Sequence, residues 1–209
     1  MEIKQLSNID LLALIRTVSL ELENREYYRG MTKHVARKPM TFNQQRAELI
    51  QRAREFVEKE IKDYDGFYFT FVVNDEKRTV VGLVHGVYTE ILRYRGIAKC
   101  MPGDVFNADI GKAIALAKAL QIDIPREFMQ AVQPDEIVVG HKIAARRQRG
   151  TYYEYDSVTN VTEDKVWGFD NGKKFNAFTY KNSKDRYGGE TVSPYILDDT
   201  NAKYESVGD

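Results

Sequence analysis

Arg95-Gly96-Ile97-Ala98-Lys99-Cys100-Met101-Pro102-Gly103-Asp104-Val105-Phe106-Asn107-Ala108-Asp109-Ile110-Gly111-Lys112-Ala113-Ile114-Ala115 is the stretch on which the fold turns. It starts as a basic strand, breaks at Pro102-Gly103-Asp104 and restarts at Asn107 as a helix. Asn107 is a favoured N-cap, and Asp109 then falls in the first turn, where a carboxylate complements the helix dipole. From Asn107 to about Leu120 the residues are rich in Ala, Ile and Leu on several sides. That pattern predicts a helix buried against a sheet. A helix start after a glycine turn can hold phosphate on free backbone amides, with Lys99 and Lys112 adding charge. Against this, Asn107 and Asp109 are placed to satisfy the same amides, and Asp104 repels an anion. Gly103 and Gly111-Lys112 are also too far apart for a P-loop. The turn itself therefore reads as a structural connector.

Upstream the pattern is helical. Ser7-Asn8 can cap a helix over roughly 9–24, with Ile9, Leu12, Ile15 and Leu22 among its apolar positions. Glu21, Glu23 and Glu26 crowd its C-terminal end, against the dipole. Thr41 opens a second helix, with Gln44 at the capping-box position. Leu49/Ile50, Ala53, Phe56/Val57 and Ile61 form its apolar stripe, and Arg46, Arg52, Arg54, Glu55, Glu58 and Lys59 are assigned to the solvent face. At Asp65-Gly66 the period changes. Phe67–Val73 reads as a buried strand, and Arg78 to Cys100 as two strands or one long bent one.

Downstream, Asp123-Ile124-Pro125 starts a short helix that ends before Gln133-Pro134. Glu136–Ala144, Gly150–Tyr155 and Lys165–Phe169 read as further strands. Asp170-Asn171-Gly172-Lys173 is a hairpin signal before Phe175–Tyr180. After Lys181 the chain is polar and rich in glycine. The expected fold class is α+β, an antiparallel β-sheet packed on a buried helix, with an N-terminal helical pair. The expected division is an N-terminal helical region over 1–65, a core domain over 66–182 and a polar tail or arm over 183–209.

Composition narrows the function. The 209 residues are 43% hydrophobic and 30% charged, with a formal net charge of zero. A neutral chain disfavours bulk nucleic-acid coating, and no apolar run reaches membrane-spanning length. The single cysteine, Cys100, excludes an intrachain disulfide and points to a reducing compartment, hence a cytoplasmic protein. His34, His85 and His141 have no second ligand at metal spacing, so no metal or cofactor is expected. Cys100 lacks a positioned histidine and reads as a small, buried apolar residue rather than a nucleophile. The pair Asp198-Asp199 lies in a polar stretch with no sign of an apolar pocket. No catalytic residues emerge, and a non-enzyme is expected.

The binding candidates are basic and aromatic. Arg93 and Arg95 flank Tyr94 at alternate positions, which places both on one face of a strand. Between Glu136 and Glu154 the chain carries no acidic residue, while Arg146, Arg147 and Arg149 precede Tyr152 and Tyr153. Arginines grip phosphate in a bidentate manner and tyrosine rings stack on bases. Arg93, Tyr94, Arg95, Lys99, Lys112, Arg146, Arg147, Arg149, Tyr152 and Tyr153 are thus the expected ligand contacts.

The stretch Gly96-Ile97-Ala98-Lys99-Cys100-x-Pro102-x-Asp104-x-Phe106-x-x-x-Ile110-Gly111-x-x-Ile114-Ala115-x-x-x-Ala119 resembles a motif of small proteins of bacteriophages infecting Firmicutes, G-x-A-K-C-x-P-x-D-x-F-D-x-x-I-G-x-x-x-A-x-x-R-A. Asn107 stands where Asp is usual and Lys118 where Arg is usual; both keep the cap or the charge. The resemblance covers about an eighth of the chain. It implies a phage accessory protein, and such proteins include nucleotide sponges that counter Thoeris and CBASS immunity. The function expected on that basis is a homo-oligomer in the host cytoplasm that sequesters a small nucleotide signal, cyclic or derived from ADP-ribose. The alternatives are a host-takeover protein that binds nucleic acid or the transcription machinery, and a structural phage component.

Overall fold

The computed structural model describes residues 16–22, 39–146, 152–170, 176–181 and 194–205. The chain divides into two compact units, Met1–Pro39 and Met40–Asp209. In the first unit, residues 16–22 are helical. The labels below number the elements of the second unit.

Helix α1, Phe42–Lys62, begins at Thr41 with the capping box anticipated from sequence. The Gln44 amide donates to Thr41 Oγ1 at 3.2 Å and the Thr41 amide to Gln44 Oε1 at 3.1 Å. Two of the helix's otherwise unpaired amides are satisfied this way. Its apolar stripe is buried where expected: Leu49, Ile50 and Ala53 pack with Ile110, Ala113 and Phe128, flanked by Phe56 and Val57. The helix is thereby part of the main unit's core, not of a region ending near residue 65.

Strands β1 (Phe67–Asn74), β2 (Thr79–Gly86) and β3 (Leu92–Lys99) form an antiparallel sheet in that order. Residues 78–100 thus hold two separate strands, the first of the two alternatives read from the sequence. On β2 every second residue, Val80, Gly82, Val84 and Gly86, is buried. This face packs on helix α2, Ala108–Leu120, whose Ala113, Ala115, Leu116 and Ala117 are no more than 1% exposed. Gly96 is where β3 and α2 meet most closely: a methyl group there would strike the Ala115 carbonyl and the Ala119 amide. The absence of a side chain is what lets the strand touch the helix backbone.

After the short helix α3, Arg126–Met129, the chain enters a second antiparallel sheet. Its strands are β4 (Lys142–Arg146), β5 (Tyr152–Val161), β6 (Lys165–Asp170), β7 (Asn176–Tyr180) and β8 (Tyr195–Asp198), in the order β7-β6-β5-β4-β8. The fold is α+β with antiparallel sheets, as expected. Residues 136–141 lie outside β4, although the sequence places a strand there. The β6–β7 pair has the predicted hairpin connectivity, while its turn lies outside the described residues.

Residues 195–204, expected in a polar arm, are built into the structure. The Phe106 amide donates to the Leu197 carbonyl and the Asp199 amide to the Phe106 carbonyl, each at 3.0 Å. The Lys203 amide donates to the Val139 carbonyl at 2.8 Å. The C-terminal segment therefore links the α2 entry to the second sheet. Among the described residues no helix is long and apolar enough to cross a membrane.

Candidate functional site

The opening stretch of sequence is the wall of a cavity. β3 ends at Lys99, Gly103 turns the chain with φ +92°, and eight residues separate the strand from α2. Between the end of β3, the first turns of α2 and the α3 region lies a partly enclosed cavity of about 240 Å³. Ala98, Cys100, Phe106, Ile110 and Ile114 line one side of it, and Phe128, Met129 and Ala131 the other. Met101 and Met129 are 66% and 59% exposed, two flexible thioethers on the walls that reach solvent. Lys99 and Lys118, both exposed, add amines, and the exposed Asp104 adds the only carboxylate on the wall among the described residues. Lys118 also donates to the Ile97 carbonyl at 3.0 Å, tying α2 to β3.

The start of α2 is closed to anions, as the sequence indicated. Asn107 Oδ1 accepts from the amides of Asp109 and Ile110 at 3.0 and 3.1 Å, and the Ala108 amide donates to Thr200 Oγ1 at 2.9 Å. Lys112 is committed to Asp109 at 2.8 Å, which Arg54 also meets at 2.7 Å. Burial on its own would raise the Asp109 pKa, but the hydrogen bonds from Lys112 and Arg54 outweigh it and hold the carboxyl below its ordinary value.

Cys100 is half-buried. Arg78 Nη2 lies 3.1 Å from its sulfur and also donates to the Asp104 carbonyl. Burial pushes the thiol up, against the lowering effect of the Arg78 charge. Cys100 is therefore a neutral thiol on the wall, not a thiolate.

Beneath the cavity sits a buried polar network. Arg46, assigned to solvent by sequence, is 1% exposed, and so is Asp199. Arg46 Nε donates to Asp199 Oδ2 at 2.7 Å and Nη2 to Oδ1 at 3.2 Å. Tyr204 Oη donates to Asp199 Oδ2 at 2.6 Å and Asn107 Nδ2 to Oδ1 at 2.9 Å. His141, fully buried, accepts the Val138 amide on Nδ1 at 3.2 Å, so its proton is on Nε2 and points to Tyr204 Oη, 3.2 Å away. Burial lowers the His141 pKa to about 4, more than Asp199 can raise it. Burial, with Asp199 adding to it, drives the Tyr204 pKa up. Both rings are neutral at pH 7.

The expected ligand contacts do not converge. Arg93 and Tyr94 line a shallow groove of about 330 Å³ with Phe67, Tyr88 and Thr89, where Arg93 Nη2 reaches Thr89 Oγ1 at 3.5 Å. Arg95 is not on that groove. A register shift opposite Val84 and His85 pairs Tyr94 with Val84 and Leu92 with His85, so Arg93 is an inserted residue. An insertion breaks the two-residue period that would put Arg93 and Arg95 on one face. Lys99 lies at the cavity, at the other end of β3. Arg146 and Tyr152 are backbone partners across β4 and β5, as are Ala145 and Tyr153, in the other sheet. Arg147 and Arg149 lie outside the described residues. The cavity residues that sequence reasoning missed are Arg46, Lys118 and Gln133. Only Arg46 carried a signal: it falls three and four residues before Leu49 and Ile50, on the apolar stripe.

The chain matches no protein-family model, no curated protein sequence and no solved structure.

Proposed function

We propose that this protein binds a small nucleotide without turning it over, holding one base in the cavity between β3, α2 and α3 with its phosphate near Lys99 and Lys118. The role we propose is the sequestration of a nucleotide signal, as the phage-like motif implies. The observation that carries this reading is that the motif residues form most of the wall of an apolar, partly enclosed space with two amines on it. Its 240 Å³ is the volume of roughly eight liquid waters, suited to one ring system. It lies below the roughly 300 Å³ at which pockets for whole drug-sized ligands begin, so the rest of a cyclic di- or trinucleotide stays outside. The groups nearest to nucleophiles or bases argue for binding over chemistry: the Cys100 thiol is protonated and His141 is buried in hydrogen bonds.

The test is calorimetric titration of the full chain with mononucleotides, cyclic di- and trinucleotides, cyclic ADP-ribose isomers and a random duplex, at two salt concentrations. A binding nucleotide should be recovered unaltered after heating and should slow alkylation of Cys100. Lys99→Ala should weaken it about tenfold, the loss of one charge-assisted contact. Binding of the duplex alone, with a steep salt dependence, would support the nucleic-acid alternative instead. Nucleotide binding that leaves Cys100 alkylation unchanged would place the site elsewhere, and recovery of hydrolysed nucleotide would make the protein an enzyme.

A further inference from the structure

The three-stranded sheet has two edges, and they are built differently. β3 is guarded: Arg93, Arg95 and Lys99 lie along it, and the register shift opposite Val84 and His85 breaks its line. Charges and irregularities of this kind keep a sheet edge from pairing with another chain. β1, Phe67-Tyr68-Phe69-Thr70-Phe71-Val72-Val73-Asn74, has neither device. It carries no charge, no proline and no glycine, and it pairs with β2 without a shift from Phe67↔Gly86 to Asn74↔Thr79. Among the described residues its other side meets no strand, and no loop backbone bonds to residues 67–73. A straight, uncharged and mostly apolar strand with one open side is a template for a further strand.

The residue order of β1 says which strand fits. Phe67, Phe69 and Phe71 are half-buried on the face shared with Gly86, Val84 and Gly82, the face that packs on α2. Tyr68, Thr70 and Val72 are exposed on the other face. Two copies related by a two-fold axis normal to the sheet keep these faces in common, so each residue meets one of its own face. With the axis at Thr70, Phe67 meets Val73, Tyr68 meets Val72, Phe69 meets Phe71 and Thr70 meets its own copy. Every pair is aromatic–β-branched, aromatic–aromatic or Thr–Thr, the combinations that stabilise antiparallel sheets, and no like charges are opposed. Asn74 falls outside the paired run and serves the turn instead: its Oδ1 accepts the Lys77 amide at 2.7 Å.

We propose that the protein forms a two-fold dimer in which the β1 strands of two copies pair antiparallel about Thr70 and join their three-stranded sheets into one of six strands. The guarded β3 strands become its outer edges, so pairing through this sheet ends at two copies. Residues 67–73 do not line the cavity, so dimerisation and nucleotide binding are read separately.

Light scattering of the full chain at micromolar concentration should return about twice the chain mass of 24.1 kDa. Thr70→Lys and Thr70→Glu each oppose like charges across the axis, at a side chain that is exposed in the single copy. Each should weaken dimerisation at least tenfold with an unchanged circular-dichroism spectrum, and an equimolar mixture of the two should recover the dimer. A native chain of monomer mass overturns the proposal. So do folded variants that dimerise as tightly as the native chain, because the interface then lies elsewhere. A mixture of folded variants that stays monomeric overturns the pairing about Thr70. Should the variants not fold, hydrogen exchange on the native chain decides: the amides of residues 67–73 should exchange several-fold more slowly in the dimer than on dilution to monomer. Equal exchange in the two states overturns the proposal.

Discussion

Arg46 and Arg95 carry the same guanidinium, and the fold treats them in opposite ways. Arg46 is sealed in the core, held by Asp199 and two backbone carbonyls. Arg95 is exposed on β3, on the face of the three-stranded sheet opposite α2. The difference lies in what surrounds them rather than in the residues. A buried guanidinium is stable only when its charge is neutralised and its hydrogens are bonded. Arg46 finds its carboxylate 153 residues away, on the C-terminal segment. Arg95 keeps its water and needs no partner. The Asp199 cluster joins α1, the entry of α2, the 138–141 loop and the C-terminal segment in one network, so it sets the geometry of the cavity floor. The basic edge of β3 sets nothing beyond itself.

The largest expected effect breaks the buried side of this comparison. Asp199→Ala leaves Arg46 without its counter-charge and should destabilise the protein by about 3–5 kcal/mol in urea unfolding. The double variant Arg46→Met with Asp199→Leu sharpens the point. It removes both charges, yet leaves Asn107 Nδ2, Tyr204 Oη and two carbonyls short of partners, so it should stay less stable than the native chain. Recovery to native stability would show that the pair is an isolated ion pair and not the hub of a network.

Acid tests the same cluster without mutation. His141 takes a proton near pH 6.5 in the unfolded chain and only near pH 4 in the folded one. Between these values the unfolded state holds more protons, so its contribution to stability is complete above about pH 6.5 and declines as the pH falls to 4. The loss over that window should be about 3 kcal/mol. The His141 ring resonance should titrate near 4; a midpoint near 6.5 would mean that the ring is open to water and the network is not closed.

The exposed side should respond much less. Lys142, half-buried, meets the exposed carboxylates of Glu154 at 3.2 Å and Asp156 at 3.9 Å. Lys142→Ala should cost less than about 1 kcal/mol, and less still in high salt. The smallest effect belongs to Arg95→Ala: a change within about 0.5 kcal/mol in stability, and unaltered nucleotide affinity because Arg95 does not line the cavity. A large loss of affinity in Arg95→Ala would move the binding site to the outer face of the first sheet.

Much of the architecture was legible in residue patterns. The capping box at Thr41 and Gln44, the cap at Asn107, the stripe of α1 and the apolar composition of α2 each depend on neighbours within a few turns. Local propensity and periodicity report such features directly. The strand runs and the hairpin connectivity of β6 and β7 were legible for the same reason. The spatial grouping of the polar residues was not. The two-residue period put Arg93 with Arg95, and one inserted residue opposite Val84 and His85 separated them. Arg46 was taken for solvent because arginine is seldom buried, although its spacing placed it on the stripe. Asp199 offered no local sign at all, since its surroundings in sequence are polar and its surroundings in space are Arg46, Asn107 and Tyr204.

By itself the sequence determined the elements, their caps and the buried character of α2, because hydrogen bonding and side-chain periodicity within an element act over a few residues. It also marked Arg95 to Ala115 as a segment specified position by position. That this segment encloses a cavity was decided only by tertiary structure. So was the pairing of Arg46 with Asp199 beneath it. Burial and charge pairing depend on which distant segments the chain brings together, and a carboxylate 153 residues from its guanidinium leaves no trace in either neighbourhood.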